Sequence, residues 1–152
     1  MTSEKNKLSH LDEANRAKMV DVGSKPVTAR AATAEAIVQI SNELAAAIRE
    51  NKIAKGNILE VARLAGIQAA KRTSELIPLC HPLGLNSVAV TFKVRAKAIE
   101  ITCAAETNGQ TGVEMEALTG VSVAALTLYD MCKAVDKTMR IENICVLKKI
   151  KE

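Results

Sequence analysis

The chain has 152 residues, 48% of them hydrophobic and 1% aromatic, and its 21 basic and 17 acidic residues leave a formal charge of +4. This length and apolar content predict one globular domain whose core needs neither a metal nor disulfides. No run approaches the roughly 20 apolar residues of a membrane span, and the polar start Met1–Lys7 is not a secretion signal, so a cytoplasmic protein with no membrane partner is expected.

Phe92 and Tyr129 are the only aromatics, so the core must be built from Ala, Val, Ile and Leu. Small side chains bury little area each, at roughly 25 cal/mol per Å² of apolar surface, and further burial through self-association is expected. Cys80, Cys103, Cys132 and Cys145 are scattered without a Cys-x-x-Cys pair and read as reduced thiols. With only His10 and His81, a site of several His ligands cannot be built within one subunit, and no metal is expected. The positive charge is a mild bias that admits nucleotides and nucleic acids alike.

In chain order, residues 1–24 are polar, weakly periodic and expected to be mobile until docked. From Thr28 to Ile40, Arg30, Ala32, Ala34, Ala36, Val38 and Ile40 alternate with more polar neighbours and read as a strand, although so many alanines would also suit a helix. Ser41 can cap a helix over Asn42 to about Glu50. Asn57 with Glu60 resembles a capping box, opening a helix with an apolar face through Ile58, Val61, Ala62, Ala65 and Ala69 that Pro78 ends. Val88, Val90, Phe92 and Val94, then Ile99, Ile101 and Cys103, alternate across Ala96-Lys97 as a hairpin. The polar loop Asn108–Gly112 opens a long helix from about Val113 to Ala134, and Met139, Ile141 and Val146 suggest a last strand. The order β, helices, β, β, α, β makes an antiparallel sheet with helices packed on one face the natural α+β arrangement. Neither a Walker loop nor G-x-G-x-x-G is present.

Three places could carry chemistry. The loop before the long helix offers unpaired N–H groups and the helix dipole to an anion. Glu114 and Glu116 in its first turn would equally stabilise that dipole; 200° of helical azimuth separates them, which predicts that only one faces a given pocket. The connector Ile77–Leu83 holds Cys80 and His81, which in extended backbone point to opposite sides and make a poor nucleophile–base dyad, while His81 could still bind a phosphate. Asp130 and Lys133, spaced i and i+3, form a surface ion pair, or a lysine poised for proton transfer by burial against Met131, Cys132 and Val135. Glu116 and Asp130 are 14 residues apart on one helix, about 21 Å along its axis. A single reacting centre cannot touch both within one subunit, so a site between two chains is favoured.

These residues carry a resemblance. Lys55-Gly56, the block Ala65-Gly66-Ile67-Gln68-Ala69-Ala70-Lys71-Arg72-Thr73, Leu76-Ile77-Pro78-Leu79-Cys80-His81-Pro82-Leu83, Thr111-Gly112-Val113-Glu114-Met115-Glu116-Ala117-Leu118-Thr119 and Tyr129-Asp130-Met131-Cys132-Lys133-Ala134-Val135 resemble the cyclic pyranopterin monophosphate synthases, the MoaC family of molybdenum cofactor biosynthesis. The resemblance starts at about Met19, which implies a flexible polar segment 1–18 and one catalytic domain 19–152. It also implies a ferredoxin-like α+β fold assembled as a homo-hexamer, a trimer of dimers with active sites between subunits. The implied reaction is a lyase step that rearranges 3′,8-cyclo-7,8-dihydroguanosine triphosphate to cyclic pyranopterin monophosphate with loss of pyrophosphate. No cofactor is implied, and the radical GTP cyclase that makes the substrate would be a pathway partner.

Carried over by position, the resemblance implies catalytic roles for Asp130, Lys55 and Lys133, and substrate contacts from Leu79, Cys80, His81, Glu114, Met115 and Glu116. Asp21, Lys25, Arg30, Lys71 and Arg72 fall at matching positions, the basic ones as candidates for the triphosphate. Many members end in a Gly-rich lysine tail, whereas this sequence ends Val146-Leu147-Lys148-Lys149-Ile150-Lys151-Glu152, where Lys148, Lys149 or Lys151 could substitute. An RNA-binding sheet is disfavoured because Phe92 is the only aromatic in a predicted strand, and no nucleic-acid partner is expected. A noncatalytic oligomeric scaffold or nucleotide-binding protein is the remaining alternative. If Lys55 and Asp130 come from different chains, mixing inactive variants of each would restore activity.

Overall fold

The computed structural model of the chain describes residues 8–53, 55 and 57–152. Residues 1–7 of the polar N-terminal segment and Gly56 of the Lys55-Gly56 pair lie outside the described residues. Among the described residues, four strands and four helices follow the order β1 (Thr28–Gln39), α1 (Asn42–Arg49), α2 (Ile58–Lys71), α3 (Thr73–Leu76), β2 (Ser87–Val94), β3 (Ala98–Gly109), α4 (Glu114–Cys132) and β4 (Arg140–Lys151). The strands form one antiparallel sheet in the order β2-β3-β1-β4, the ferredoxin-like arrangement.

The alanine-rich segment is a strand because one face of it is apolar without interruption: Ala32, Ala34, Ala36 and Val38 are buried while their neighbours are half-buried. It lies between β3 and β4, and α4 covers its apolar face, while α2 packs beside α4 on β2. Ile99, Ile101, Cys103 and Ala105 continue that face in β3, and Leu44, Val121 and Leu128 close the core from the helices. The helices approach closely through glycine. A Cβ on Gly66 would meet the Gly120 carbonyl oxygen at 2.9 Å, and one on Gly120 would meet Cys103 Sγ at 2.5 Å.

Local chemistry explains the helix ends. Ser41 Oγ accepts from the Leu44 N–H at 3.1 Å, capping α1 as expected. That helix ends on a left-handed Asn51, φ 52°, with Asn51 N–H donating to Ile48 O and Lys52 N–H to Ala47 O. Only half of the capping box on α2 forms: Asn57 Oδ1 accepts from the Glu60 N–H at 3.3 Å, while the Glu60 carboxylate turns to Arg63. Pro78 does not end α2. The helix stops at Lys71, where Thr73 Oγ1 donates back to the Ala70 carbonyl at 2.9 Å, and the four-residue α3 intervenes. Asn108 and Gly109, read as loop, are the last residues of β3, because Thr28 and Ala29 extend the ladder opposite them.

Two ends of the fold hold most of the residues singled out from the sequence. The start of β1, the end of β3, the start of α4 and the end of β4 converge, with Arg30 opposite Lys151 and Thr107. At the opposite end of α4 lie its last turn and the approach to α2. Asp136 ties this second end together: buried, it accepts from the Ser41 N–H at 2.6 Å and from the Thr138 N–H and hydroxyl. Burial alone would raise its pKa, but the Thr138 and Ser41 hydrogen bonds outweigh that and hold the carboxyl below its ordinary value.

Candidate active site

Most of the residues predicted for the site fall into two groups at the two ends of α4, and Asp21, Lys71 and Arg72 fall in neither. At its N-terminal end, Leu79, Cys80, His81, Glu114, Met115 and Glu116 line one cleft of about 280 Å³. His10 lines it too, a residue that sequence reasoning left in the polar leader. Beside it, sharing Thr111, Gly112 and Glu114, is a basic cleft of about 400 Å³ with Lys25, Arg30, Lys149 and Lys151 on its walls.

Both glutamates reach this place, against the expectation that only one could. Glu116 is buried in the first turn of α4, at 4% exposure. Glu114 is the first residue of the helix, and its carboxylate bends back over Gly112, where a Cβ would overlap it, to pair with Lys149 Nζ at 2.6 Å. Azimuth along the helix does not constrain a side chain that folds past the helix end. The two carboxyls titrate in opposite directions. Burial pushes Glu116 up, and the negative Glu114 adds to it. Glu114 is also penalised by burial, but the hydrogen bond from Lys149 and the charges of Lys149 and Arg30 hold it below its ordinary value. Two carboxyls whose environments separate their proton affinities are suited to different roles.

His81 Nε2 lies 2.6 Å from the Val20 carbonyl oxygen. A carbonyl only accepts, so Nε2 carries the hydrogen and the ring braces the segment leading to β1. Burial, followed by the charge of Glu116, raises the Cys80 thiol, which disfavours a thiolate nucleophile. Asp21 and Gly23 belong to a turn in which Asp21 Oδ1 accepts from the Gly23 N–H at 2.8 Å. Asp21 lines an open cavity of about 730 Å³ formed within the segment 8–21, and neither cleft of the site. Lys71 lines a separate cleft that shares only Leu83 with the first, and Arg72 pairs with Glu75 at 2.8 Å.

At the far end of α4, Lys133 Nζ donates to Asp130 Oδ1 at 2.8 Å, and Lys55 Nζ donates to the Asp130 carbonyl at 3.4 Å. The poised lysine expected from burial is corrected here: the Lys133 side chain is 58% exposed. Its pKa is raised, first by the hydrogen bond to Asp130 and then by that residue's charge, and the same contact holds Asp130 low. Within this chain Lys133 is therefore a proton holder. Lys55 and Asp130 also meet inside one chain, so they do not need to be joined across an interface.

The sequence profile of the MoaC family matches residues 19–151. The chain belongs to the MoaC family. A relative from Chloroflexus aurantiacus is 56% identical over 151 residues, 98% of this chain and 93% of its own length. Others from Peptoclostridium acidaminophilum, 52% identical over 93% of this chain and 90% of the relative, and Listeria monocytogenes, 53% identical over 96% and 92%, are similar to it across nearly the same span. All three carry the name cyclic pyranopterin monophosphate synthase. The MoaC match begins at Met19, just before the His81-braced segment. Among the described residues no helix of this MoaC chain is long and apolar enough to cross a membrane. No group of three or more His, Cys, Asp or Glu side chains among them is arranged to hold a metal ion.

Proposed function

We propose that the chain is the cyclic pyranopterin monophosphate synthase of molybdenum cofactor biosynthesis, a lyase acting on 3′,8-cyclo-7,8-dihydro-GTP. The observation that carries this reading is the basic cleft: Lys25, Arg30, Lys149 and Lys151 face one space that opens beside Glu116 and His81. Four cations and one carboxylate leave that space strongly positive, which suits a triphosphate. Lys149 and Lys151 thereby fit the part that the Gly-rich tail of other members would serve.

The chemistry needs proton transfers to open the purine-derived ring and close a pterin, then attack of a ribose-derived hydroxyl on the α-phosphate with departure of pyrophosphate. Glu116, whose carboxyl keeps its proton to higher pH than usual, and the Lys133–Asp130 pair with Lys55 are the groups for those transfers. The cations of the basic cleft would stabilise the charge on the leaving pyrophosphate. Because the groups sit at opposite ends of α4, about 21 Å apart, the complete site is assembled from two subunits of a homo-oligomer, a hexamer on the resemblance above. The radical GTP cyclase that supplies the substrate is then its neighbour in the pathway.

Incubating the purified protein with the cyclised dihydro-GTP intermediate tests this. Pyrophosphate and the fluorescent pterin obtained by oxidising the product are expected in equal amounts. Lys55→Ala and Lys133→Ala are each expected to abolish both signals while leaving the oligomer intact; a well-folded parent protein that forms neither product refutes the reading.

A further inference from the structure

We propose that Gln110 is a positioning residue for this reaction: its side-chain amide seats the Gly23–Lys25 turn so that Lys25 and Arg30 face the same anion. The inference rests on the triphosphate reading of the basic cleft.

Gln110 is the first residue after β3, at the mouth of that cleft. Its Nε2 donates to the Gly23 carbonyl and to the Lys25 carbonyl, each at 3.0 Å. Two carbonyl acceptors require the donor end of the amide, so both of its hydrogens are committed and the orientation is fixed. The main-chain carbonyl of the same residue accepts from Arg30 Nη2 at 3.4 Å. One residue thus touches both cationic segments, across 80 to 87 positions of sequence.

The turn has its own bonds, Lys25 N–H to Val22 O at 2.9 Å and Gly23 N–H to Asp21 Oδ1 at 2.8 Å. Both lie within the turn, so they set its shape and not its place. Among the described residues, the side-chain bonds that fix the segment to the body of the domain are His81 to Val20 and Gln110 to Gly23 and Lys25. Arg30 supplies a second reason to expect an anion here, since its Nε is buried with no hydrogen-bond partner among the described residues. A phosphate oxygen brought in beside Lys25 would satisfy it. Lys25 is exposed; holding its own carbonyl and that of Gly23 shortens the search that its ammonium must make.

The test uses Gln110→Met, which keeps length and charge while removing the donor, with inorganic tripolyphosphate as the calorimetric probe and the intact oligomer throughout. Tripolyphosphate is expected to bind about tenfold more weakly, as for loss of one to two hydrogen bonds. With the cyclised dihydro-GTP substrate, KM is expected to rise about tenfold with kcat changed less than about twofold, the pattern of lost uniform binding. Because Gln110 acts through Lys25, Lys25→Ala combined with Gln110→Met is expected to be no weaker than Lys25→Ala alone. Should the Met variant fold poorly, Gln110→Asn, which withdraws the amide by one methylene, is expected to weaken binding in the same way. Additive losses in the double variant overturn the positioning role. So does unchanged binding by Gln110→Met while Arg30→Ala weakens it, an outcome that leaves the triphosphate reading standing. Unchanged tripolyphosphate binding in both Lys25→Ala and Arg30→Ala overturns the reading of the cleft and the inference with it.

Discussion

Glu114 and Glu116 share the first turn of α4, yet one is tied to Lys149 at 2.6 Å and the other is buried at 4% exposure. The sign of the stability effect follows from the direction of each shift. Glu116 has a folded-state pKa above its ordinary 4.5, so its contribution is fully present below that value and is lost as pH rises through the folded pKa. Keeping it ionised at neutral pH costs stability. Glu116→Gln is therefore expected to raise Tm at pH 7, with the gain shrinking as pH falls toward 4, while turnover drops by about 10²-fold or more through loss of the carboxyl proposed for proton transfer. Thermal melts across pH, run beside the product assay, separate the two effects; a Gln variant that loses Tm at pH 7 would mean the carboxylate is doing structural work. Glu114 behaves in the opposite sense, contributing stability above the ordinary range that is lost as pH falls through its lowered value. Lys149, Gln110 and His10 illustrate what residue-level reading does and does not reach. Lys149 was readable as a substitute cation from its place in a basic ending, whereas the approach of Gln110 to Gly23 and the place of His10 in the cleft lined by His81 are set by tertiary folding, and no local pattern encodes them.

Among the elements, α4 does most to position the site, and it can do so because α2 lies against it at backbone contact. The Gly66 carbonyl stands 3.5 Å from where a Gly120 Cβ would be, and Cys103 Sγ stands at 2.5 Å, closer than any real Cβ contact. Gly120→Ala gains helix propensity of about 0.5–1 kcal/mol but must push β3 or α2 away, and overpacking of this kind costs about 1–3 kcal/mol. A net loss of Tm is expected in thermal unfolding, and a neutral or stabilised variant would show that the packing gives way more easily than the geometry suggests. The same closeness explains how a core nearly without aromatics holds together: the layers are thin, and Ala62, Ala117, Ala124 and Ala125 let them meet. Strand β1 was legible despite its alanines because the buried face alternates without a break from Ala32 to Ile40. Strand β4 was only partly legible. Asn143 takes a left-handed φ of 53° where the register against β1 shifts between Glu35 and Ile37, and beyond that bulge the strand is exposed on both faces, so no period of two survives in its sequence. The tail of β3 was missed for a different reason, since Asn108-Gly109 has the composition of a turn and is held in the ladder by its partner strand.

For the whole molecule, the geometry of one chain sets what an assembly must do. Glu116 with the basic cleft lies at the N-terminal end of α4; Asp130, Lys133 and Lys55 lie at the other, with Lys55 and Asp130 already in contact at 3.4 Å. A substrate touching both groups must therefore meet one group from each of two chains, if the proposed function holds. Exposed Val61, Leu64, Leu126 and Tyr129 on α2 and α4 give such an assembly apolar surface to bury. This predicts which inactive variants rescue each other. Mixing Glu116→Gln with Asp130→Asn under conditions of subunit exchange places an intact N-terminal group opposite an intact C-terminal group at some interfaces, so activity is expected to reappear, up to about a quarter of the parent level if each site needs one of each by random assortment. Mixing Lys55→Ala with Asp130→Asn is expected to restore nothing, because both losses fall in the same half of every site. The measurement is pyrophosphate release before and after exchange, with exchange itself followed by mass spectrometry of tagged subunits. Rescue in the second pair and not in the first would place the division of the site between Lys55 and Asp130, and Glu116 and Asp130 would then belong to the same half.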